Sequence, residues 1–410
     1  MLLPMAAVPR VLEKSVRRAL RTFPAVLVTG ARQTGKTTLL RAAFGHSHSY
    51  VSLERPDVRA RAEADPEGFF AEHPPPVTLD EIQAAPSLLH HVKDRIDADR
   101  APGQWLLTGS QTLPLMREIS QTLAGRVAVL TLDPLSVGEA ARAPSPTLDA
   151  RLERVFGAGP WPQRKRLPSL ASWLLRGGYP EPRLHPRVDR ALWFGSYVQT
   201  YLERDVRDLL QVGDLNAFSR FVALVAARSG QLLNLAELGR DAGVTAPTVR
   251  SWLSVLEASH IVYLLQPFHA NFGKRLVKSP KLYLLDAALM AFLIGLHSDT
   301  SMLAGPSAGA LVETAVVGEW VKAFHQAGLR PPLSFYRSSG GDEVDLVIEY
   351  DGELYGLEIK ATSTPTPHHA DGLVKWMALA GERAHGAVAC RVDAPRSLRP
   401  GVRAVPWHCA

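Results

Sequence analysis

The first third of the chain is punctuated by three short apolar runs, at residues 25–28, 77–79 and 105–107. Each is rich in aliphatic residues, and each ends at a Thr-Gly, Asp-Glu or Thr-Gly-Ser sequence. Runs this short, closed by turn-forming residues, predict buried strands, and residues 38–44 after the first run predict a helix. Residues 141–168 lose the pattern. They are rich in Pro, Ala and Arg with no sustained period and read as a loop or linker. An amphipathic stretch follows over 193–210. Three helical periods then run from 218 to 228, from 234 to 241 and onward from the turn at 242–245. In the third, Pro247 suits the first turn and Val249, Leu253 and Leu256 face inward. A strand at 261–265 closes this segment. Beyond residue 306 the order reads helix (308–324), strand (334–337), strand (341–348), strand (354–360), helix (370–378), strand (387–390).

Composition narrows the class. The chain has 410 residues, of which 46% are hydrophobic and 21% charged, which excludes a disordered or collagen-like protein. Two cysteines, Cys390 and Cys409, exclude a disulfide scaffold or a Cys-based zinc module and suit a reducing compartment. The longest late apolar run, 282–296, contains Asp286 and is shorter than the ~20 residues that span a bilayer. The N-terminus lacks the pattern of a secretory leader, so a cytoplasmic protein with no membrane association is expected.

The net charge of +6 is uneven. There are 16 basic and 15 acidic residues up to residue 140, 16 and 11 from 141 to 265, and 14 of each beyond. A basic run, Lys274, Arg275, Lys278 and Lys281, reads as a solvated surface that nucleic acid would favour.

The most specific chemistry follows the first strand. Gly30-Ala31-Arg32-Gln33-Thr34-Gly35-Lys36-Thr37 is G-x-x-x-x-G-K-T between a strand and a helix, the setting a phosphate-binding P-loop requires. The amides of Gly30, Gln33, Thr34, Gly35, Lys36, Thr37 and Thr38 are the candidate phosphate cradle. Lys36 would reach the β- and γ-phosphates of ATP, and Thr37 would offer its hydroxyl to Mg²⁺. The acids after the second strand supply the other half. Asp80 would hold the Mg²⁺ shell and Glu81 would orient the attacking water. Thr108 or Ser110, after the third strand, would act as a polar sensor of the γ-phosphate.

With these residues, and with Leu123-Ala124-Gly125-Arg126 leading to Pro134-Leu135-Ser136 and Glu139, residues 1–140 resemble the ATPase domain of a group of prokaryotic AAA-family proteins that carry a poorly characterised C-terminal region. The resemblance implies a parallel αβα sandwich, homo-oligomer formation, and Arg126 as an arginine finger or in-cis sensor. The chain departs from the family in offering Thr or Ser where many members have a sensor Asn. The Gly177-Gly178-Tyr179-Pro180 turn and Tyr201-Leu202-Glu203-Arg204-Asp205 resemble the family's C-terminal region. Arg204 and Asp205 would form an ion-pair network or touch a neighbour's ATPase site.

Residues 214–285 have helix-turn-helix spacing with a wing, and Thr248, Arg250, Ser251 and Ser254 fall on the exposed side of the third helix. DNA binding and a purely packing role both remain open, because residues 214–262 hold four basic and four acidic residues.

In the last segment Asp345 and Glu358-x-Lys360 lie on adjacent strands, and residues two apart on a strand share a face. The α-β-β-β-α-β order with D-x(12)-E-x-K resembles the PD-(D/E)xK restriction-endonuclease-like superfamily over roughly 306–406, although Val344 stands where the motif's Pro would be. The resemblance implies Mg²⁺ on Asp345, Glu358 and Glu313, with Lys360 placing water or neutralising charge.

The expected architecture is α/β: an AAA-type P-loop domain (1–140), a linker and helical segment (141–213), a winged helix (214–285) and a nuclease-like domain (286–410). The expected function is ATP-driven action on nucleic acid, most simply metal-dependent cleavage. The alternatives are an ATP-dependent switch or an oligomeric scaffold with an inert nuclease-like domain.

Overall fold

A computed structural model describes residues 8–109, 113–157, 159, 161, 167–202, 214–268, 278–338 and 340–409. Ser110, Arg204, Asp205, Lys274 and Arg275 therefore lie outside the described residues. The chain forms two compact units. The first comprises residues up to 135 with 258–260 and 325–329, and the second comprises the rest. Among the described residues no helix is long and apolar enough to cross a membrane.

Among its described residues the first unit is built on five parallel strands: β1 (Ala25–Thr29), β2 (Ser49–Ser52), β3 (Val77–Asp80), β4 (Trp105–Thr108) and β5 (Val127–Thr131), in the order β2-β3-β4-β1-β5. Strands β1, β3 and β4 are buried throughout, which explains their unbroken apolar sequences. Alternate residues of β1 enter opposite cores. Ala25 and Leu27 join Leu79, Leu107, Val92 and Phe70, whereas Val26 and Val28 join Leu12, Val16, Leu40 and Phe44. Helices cover both faces, and the strand ends that follow β1, β3 and β4 bring the three predicted polar turns to one edge.

Strands β2 and β5 did not announce themselves in the sequence. They lie at the two edges of the sheet, where burial is partial and the apolar run correspondingly broken; Val129 is 42% exposed.

Among its described residues the second unit holds nine strands: β6 (Gln231–Leu232), β7 (Val262–Pro267), β8 (Lys281–Leu284), β9 (Leu333–Arg337), β10 (Glu343–Tyr350), β11 (Glu353–Ile359), β12 (Ala384–Cys390), β13 (Arg396–Arg399) and β14 (Val402–Pro406). Their order is β13-β14-β12-β11-β10-β9-β7-β8-β6. Residues 148–156, read above as irregular, form a helix. Thr147 caps it by accepting the Ala150 amide at 3.3 Å, and Leu148, Leu152 and Val155 are buried. Its short apolar face, set within a Pro-rich stretch, hid the period. Within the Gly177-Gly178-Tyr179-Pro180 turn, Gly178 donates its amide to Asp286 Oδ2 at 2.7 Å.

Helices Leu215–Ala227, Leu235–Ala242 and Ala246–Ala258 precede the β7–β8 hairpin, with Gly243 at φ 77° in the turn between the last two. Val249, Leu253 and Leu256 are buried and Arg250 is exposed. Helix Ala308–Ala327 then leads into antiparallel β9, β10 and β11, helix Asp371–Ala380, and β12 parallel to β11. Gly356 and Gly386 are register partners. A Cβ on Gly356 would come within 2.5 Å of Trp376, and one on Gly386 within 2.5 Å of Met377. The paired glycines therefore let the 371–380 helix seat directly on the sheet.

Candidate functional site

Two polar centres stand out, each organised around a buried lysine. In the first unit the loop after β1 bends in ways side chains resist. Gly30 has φ 139°, and a Cβ there would lie 2.2 Å from the Leu132 carbonyl oxygen. Gln33 and Gly35 take φ 64° and 91°, and Gly35 opens helix Lys36–Phe44. The loop is braced from behind. Arg10, nearly buried, donates to the Thr34 carbonyl at 2.7 Å and to the Asp133 carbonyl at 2.6 Å. Thr34 Oγ1 donates to the Ala31 carbonyl at 2.9 Å. Thr38 is exposed on the first turn of the helix.

Lys36 is 5% exposed and folds back onto its own loop, donating to the carbonyls of Gly30 (3.1 Å) and Ala31 (3.0 Å). Its partners here are neutral. Burial lowers its pKa from the usual lysine value, against the opposing charges of Glu81 and Asp80. An incoming phosphate would offer this ammonium a direct anionic hydrogen-bond partner in place of the carbonyls.

Asp80 sits at the end of β3 and gathers three hydroxyls. Thr37 Oγ1 donates to Oδ2 at 2.9 Å, Tyr50 donates to the same oxygen at 2.6 Å, and Thr108 donates to Oδ1. Burial and Asp80 push the Tyr50 hydroxyl up to about 12. Glu81 follows at φ 59°; its amide donates to Thr108 Oγ1 at 2.9 Å, and its carboxylate accepts from Gln83 Nε2. Thr108 thus bridges the two acids. Gly30 to Thr38, Asp80, Glu81 and Thr108 meet at one end of the sheet.

Arg126 does not join them. It precedes β5, whose first residue pairs with Ala25 at the far end of β1, whereas the P-loop follows Thr29. About five residues of strand, or roughly 16 Å, separate those ends. Its guanidinium grips Asp97 with two bonds, at 2.6 and 2.9 Å, and donates to the Ala124 carbonyl. Within its own domain Arg126 is paired with Asp97, away from the P-loop end of the sheet.

In the second unit the structure brings Asp345, Glu358, Lys360 and Glu313 together. Asp345 lies in a bulge of β10, where Asp345 and Leu346 together oppose a single residue of β9. Such an insertion re-aims side chains. Asp345 Oδ2 accepts the Ile359 amide at 2.8 Å. Lys360 pairs with Glu358 Oε1 and lies 3.7 Å from Asp345 Oδ2.

The residue at the heart of this centre is Lys281, which the sequence reading placed in a solvated basic run. It is 3% exposed. Its ammonium lies 2.6 Å from Glu343, 3.1 Å from Glu313 and 3.5 Å from Asp345. Tyr283, two residues on and on the same face of β8, donates its hydroxyl to Glu313. Burial alone would lower the Lys281 pKa, but Glu313, Asp345 and Glu343 raise it above the lysine range. Burial and then Asp345 raise the Glu358 carboxyl to about 8 and Glu313 to about 7.

The hard oxygens of Asp345, Glu358 and Glu313 are of the kind Mg²⁺ selects, but an ammonium stands between Asp345 and Glu313. The residues as arranged do not fit a divalent ion. No group of three or more His, Cys, Asp or Glu among the described residues is arranged to hold a metal. A signal for Lys281 existed in the sequence. Lys281 and Tyr283 alternate with Leu282 and Leu284, as in a strand with a polar inner face.

The comparisons with known proteins agree with the first centre. Residues 22–141 match the AAA domain, so the fold and loop define a P-loop ATPase domain of the AAA class. Residues 167–300 and 308–410 match two domains of unknown function, DUF8612 and DUF4143. The chain is 33% identical over 352 residues to the uncharacterized proteins Rv2008c of Mycobacterium tuberculosis and Mb2031c of Mycobacterium bovis, covering 86% of this chain and 73% of each relative. It belongs to the same family as these two proteins. Among solved structures, the Walker-type ATPase PABY2304 of Pyrococcus abyssi matches 69% of this chain and 94% of its own at 13% identity and a TM-score of 0.40. Protein VC1899 from Vibrio cholerae matches 93% and 94% at 12% and 0.18.

Proposed function

We propose that the protein binds ATP with Mg²⁺ and hydrolyses it at the P-loop, and that the nucleotide state governs how the second unit engages nucleic acid. The observation that carries the ATPase reading is the Thr37–Asp80–Thr108 hydrogen-bond set beside a buried Lys36 whose hydrogen bonds go to neutral carbonyls. The loop amides and Lys36 would hold the β- and γ-phosphates, and Thr37 and Asp80 would hold Mg²⁺, which neutralises charge on the phosphates. Glu81, fixed through its amide to Thr108, would orient the attacking water and take its proton. Phosphate release from Mg·ATP tests this. It should be lost in Lys36→Ala and in Glu81→Gln, with ATP still bound in the latter.

For the second unit, Arg250 on the exposed side of the winged-helix third helix supports nucleic-acid engagement. The ammonium of Lys281 among the carboxylates favours a switch over a nuclease. DNA binding that weakens steeply with salt and falls in Arg250→Ala would support the switch. Mg²⁺-dependent cleavage abolished by Asp345→Ala would overturn it. Homo-oligomer assembly, implied by the AAA resemblance, is part of the same proposal and is read by sedimentation with and without ATP.

A further inference from the structure

We infer that Lys281 is the resident cation of the carboxylate centre in the second unit: it stands in the place of a divalent ion, keeps the wild-type centre metal-free, and masks a latent divalent-metal site. Lys281 and its carboxylates share no residue with the ATPase site.

Four carboxylates, from Glu313, Glu343, Asp345 and Glu358, meet where helix Ala308–Ala327, β10 and β11 supply one or two each. Like charges held this close repel unless a cation lies among them. Lys281 provides it, touching three of the four from β8. Its ammonium is a compact charge with donors to share among several oxygens, which is the neutralising task of a bound divalent ion. Phe335 closes one side, its ring centre 5.5 Å from the lysine nitrogen.

A second observation points to a ligand position. Glu358 is 9% exposed, and while its Oε1 is taken by Lys360, its Oε2 is buried with no hydrogen-bond partner. A buried carboxyl oxygen left without a partner is costly, and a metal that displaced its proton would satisfy it. Asp345, linked to Glu358 through Lys360, has its Oδ1 turned toward Lys281 instead. With the Lys281 ammonium removed, Lys360 would still hold Glu358 Oε1, and Asp345 Oδ1, Glu358 Oε2 and Glu313 would be left as hard oxygen donors without it, the set a Mg²⁺ or Mn²⁺ ion binds.

The test is a Mn²⁺ titration of the full-length, nucleotide-free protein, followed by the loss of the free-ion electron paramagnetic resonance signal. Wild type should take up no Mn²⁺ that depends on Asp345. Lys281→Met should gain one Mn²⁺ per chain, Lys281→Arg should not, and adding Asp345→Asn to Lys281→Met should abolish the gain. Lys281→Gln, closer in shape and polarity, carries the same expectation as Lys281→Met if the latter does not fold. Mn²⁺ uptake by wild type that is lost in Asp345→Asn would overturn the inference without any change at the lysine. A folded Lys281→Met or Lys281→Gln that binds no Mn²⁺ would also overturn it, and would leave the ATPase reading untouched.

Discussion

Each polar centre is built on a buried lysine, Lys36 in the first unit and Lys281 in the second, and these two lysines are in opposite states. Lys36 has carbonyl partners and a pKa lowered by burial; Lys281 has three carboxylates and a pKa raised above its ordinary range. A buried ammonium whose hydrogen bonds go only to neutral carbonyls can still take a direct anionic partner, whereas one already paired with three carboxylates is neutralised within the fold. The same residue type at the same depth is therefore expected to bind ligand in one unit and to serve the fold in the other.

Removing each charge in turn should separate the roles. Lys281→Met leaves carboxylates buried without their cation, so unfolding by urea should show a loss of about 3–5 kcal/mol. ATP affinity should not follow it. Lys36→Ala should do the reverse. Stability should change little, whereas ATP binding should fall at least about 100-fold, since two charge-assisted hydrogen bonds of about 1.5 kcal/mol each are lost. A Lys281→Met protein as stable as wild type, or a Lys36→Ala protein that still binds ATP tightly, would break the contrast.

A smaller effect should appear with pH. The folded chain holds protons on Glu358 up to about 8 and on Glu313 up to about 7, while the unfolded chain releases them near 4.5. Between those values the unfolded state binds fewer protons, so this contribution to stability falls as pH rises. Glu358→Gln removes part of that slope, and melting temperatures of the two proteins should converge or cross between pH 5 and pH 8. Parallel curves would show that the centre does not hold its protons this way. Smallest of all is Arg126→Ala. Its pair with Asp97 is exposed and lies at the far end of the sheet, so ATP turnover should stay within about twofold of wild type.

The two centres also differ in how far the sequence revealed them. Gly30 to Thr37 is a local device. Its glycines, lysine and threonine are contiguous, and the apolar run before it marks the strand, so loop, helix and Asp80-Glu81 could be read in advance. Tyr50 and Arg10 could not, since each acts across a distance that only the sheet order closes. The carboxylate centre is assembled from five elements. Asp345, Glu358 and Lys360 follow a spacing and were legible. Lys281 ends a basic run, which masked the alternation in β8, and its acids lie 32 to 64 residues away. The bulge that turns Asp345 inward is a property of strand pairing and leaves no mark on either strand alone.

The most direct measurement is Mg·ATP turnover with a parallel reading of bound nucleotide, on wild type and Glu81→Gln. Wild type should release phosphate. Glu81→Gln should retain ATP and release phosphate at least about 100-fold more slowly, the loss expected when a positioned base is removed. Undiminished release from Glu81→Gln would contradict the assignment of the first unit as the hydrolytic centre.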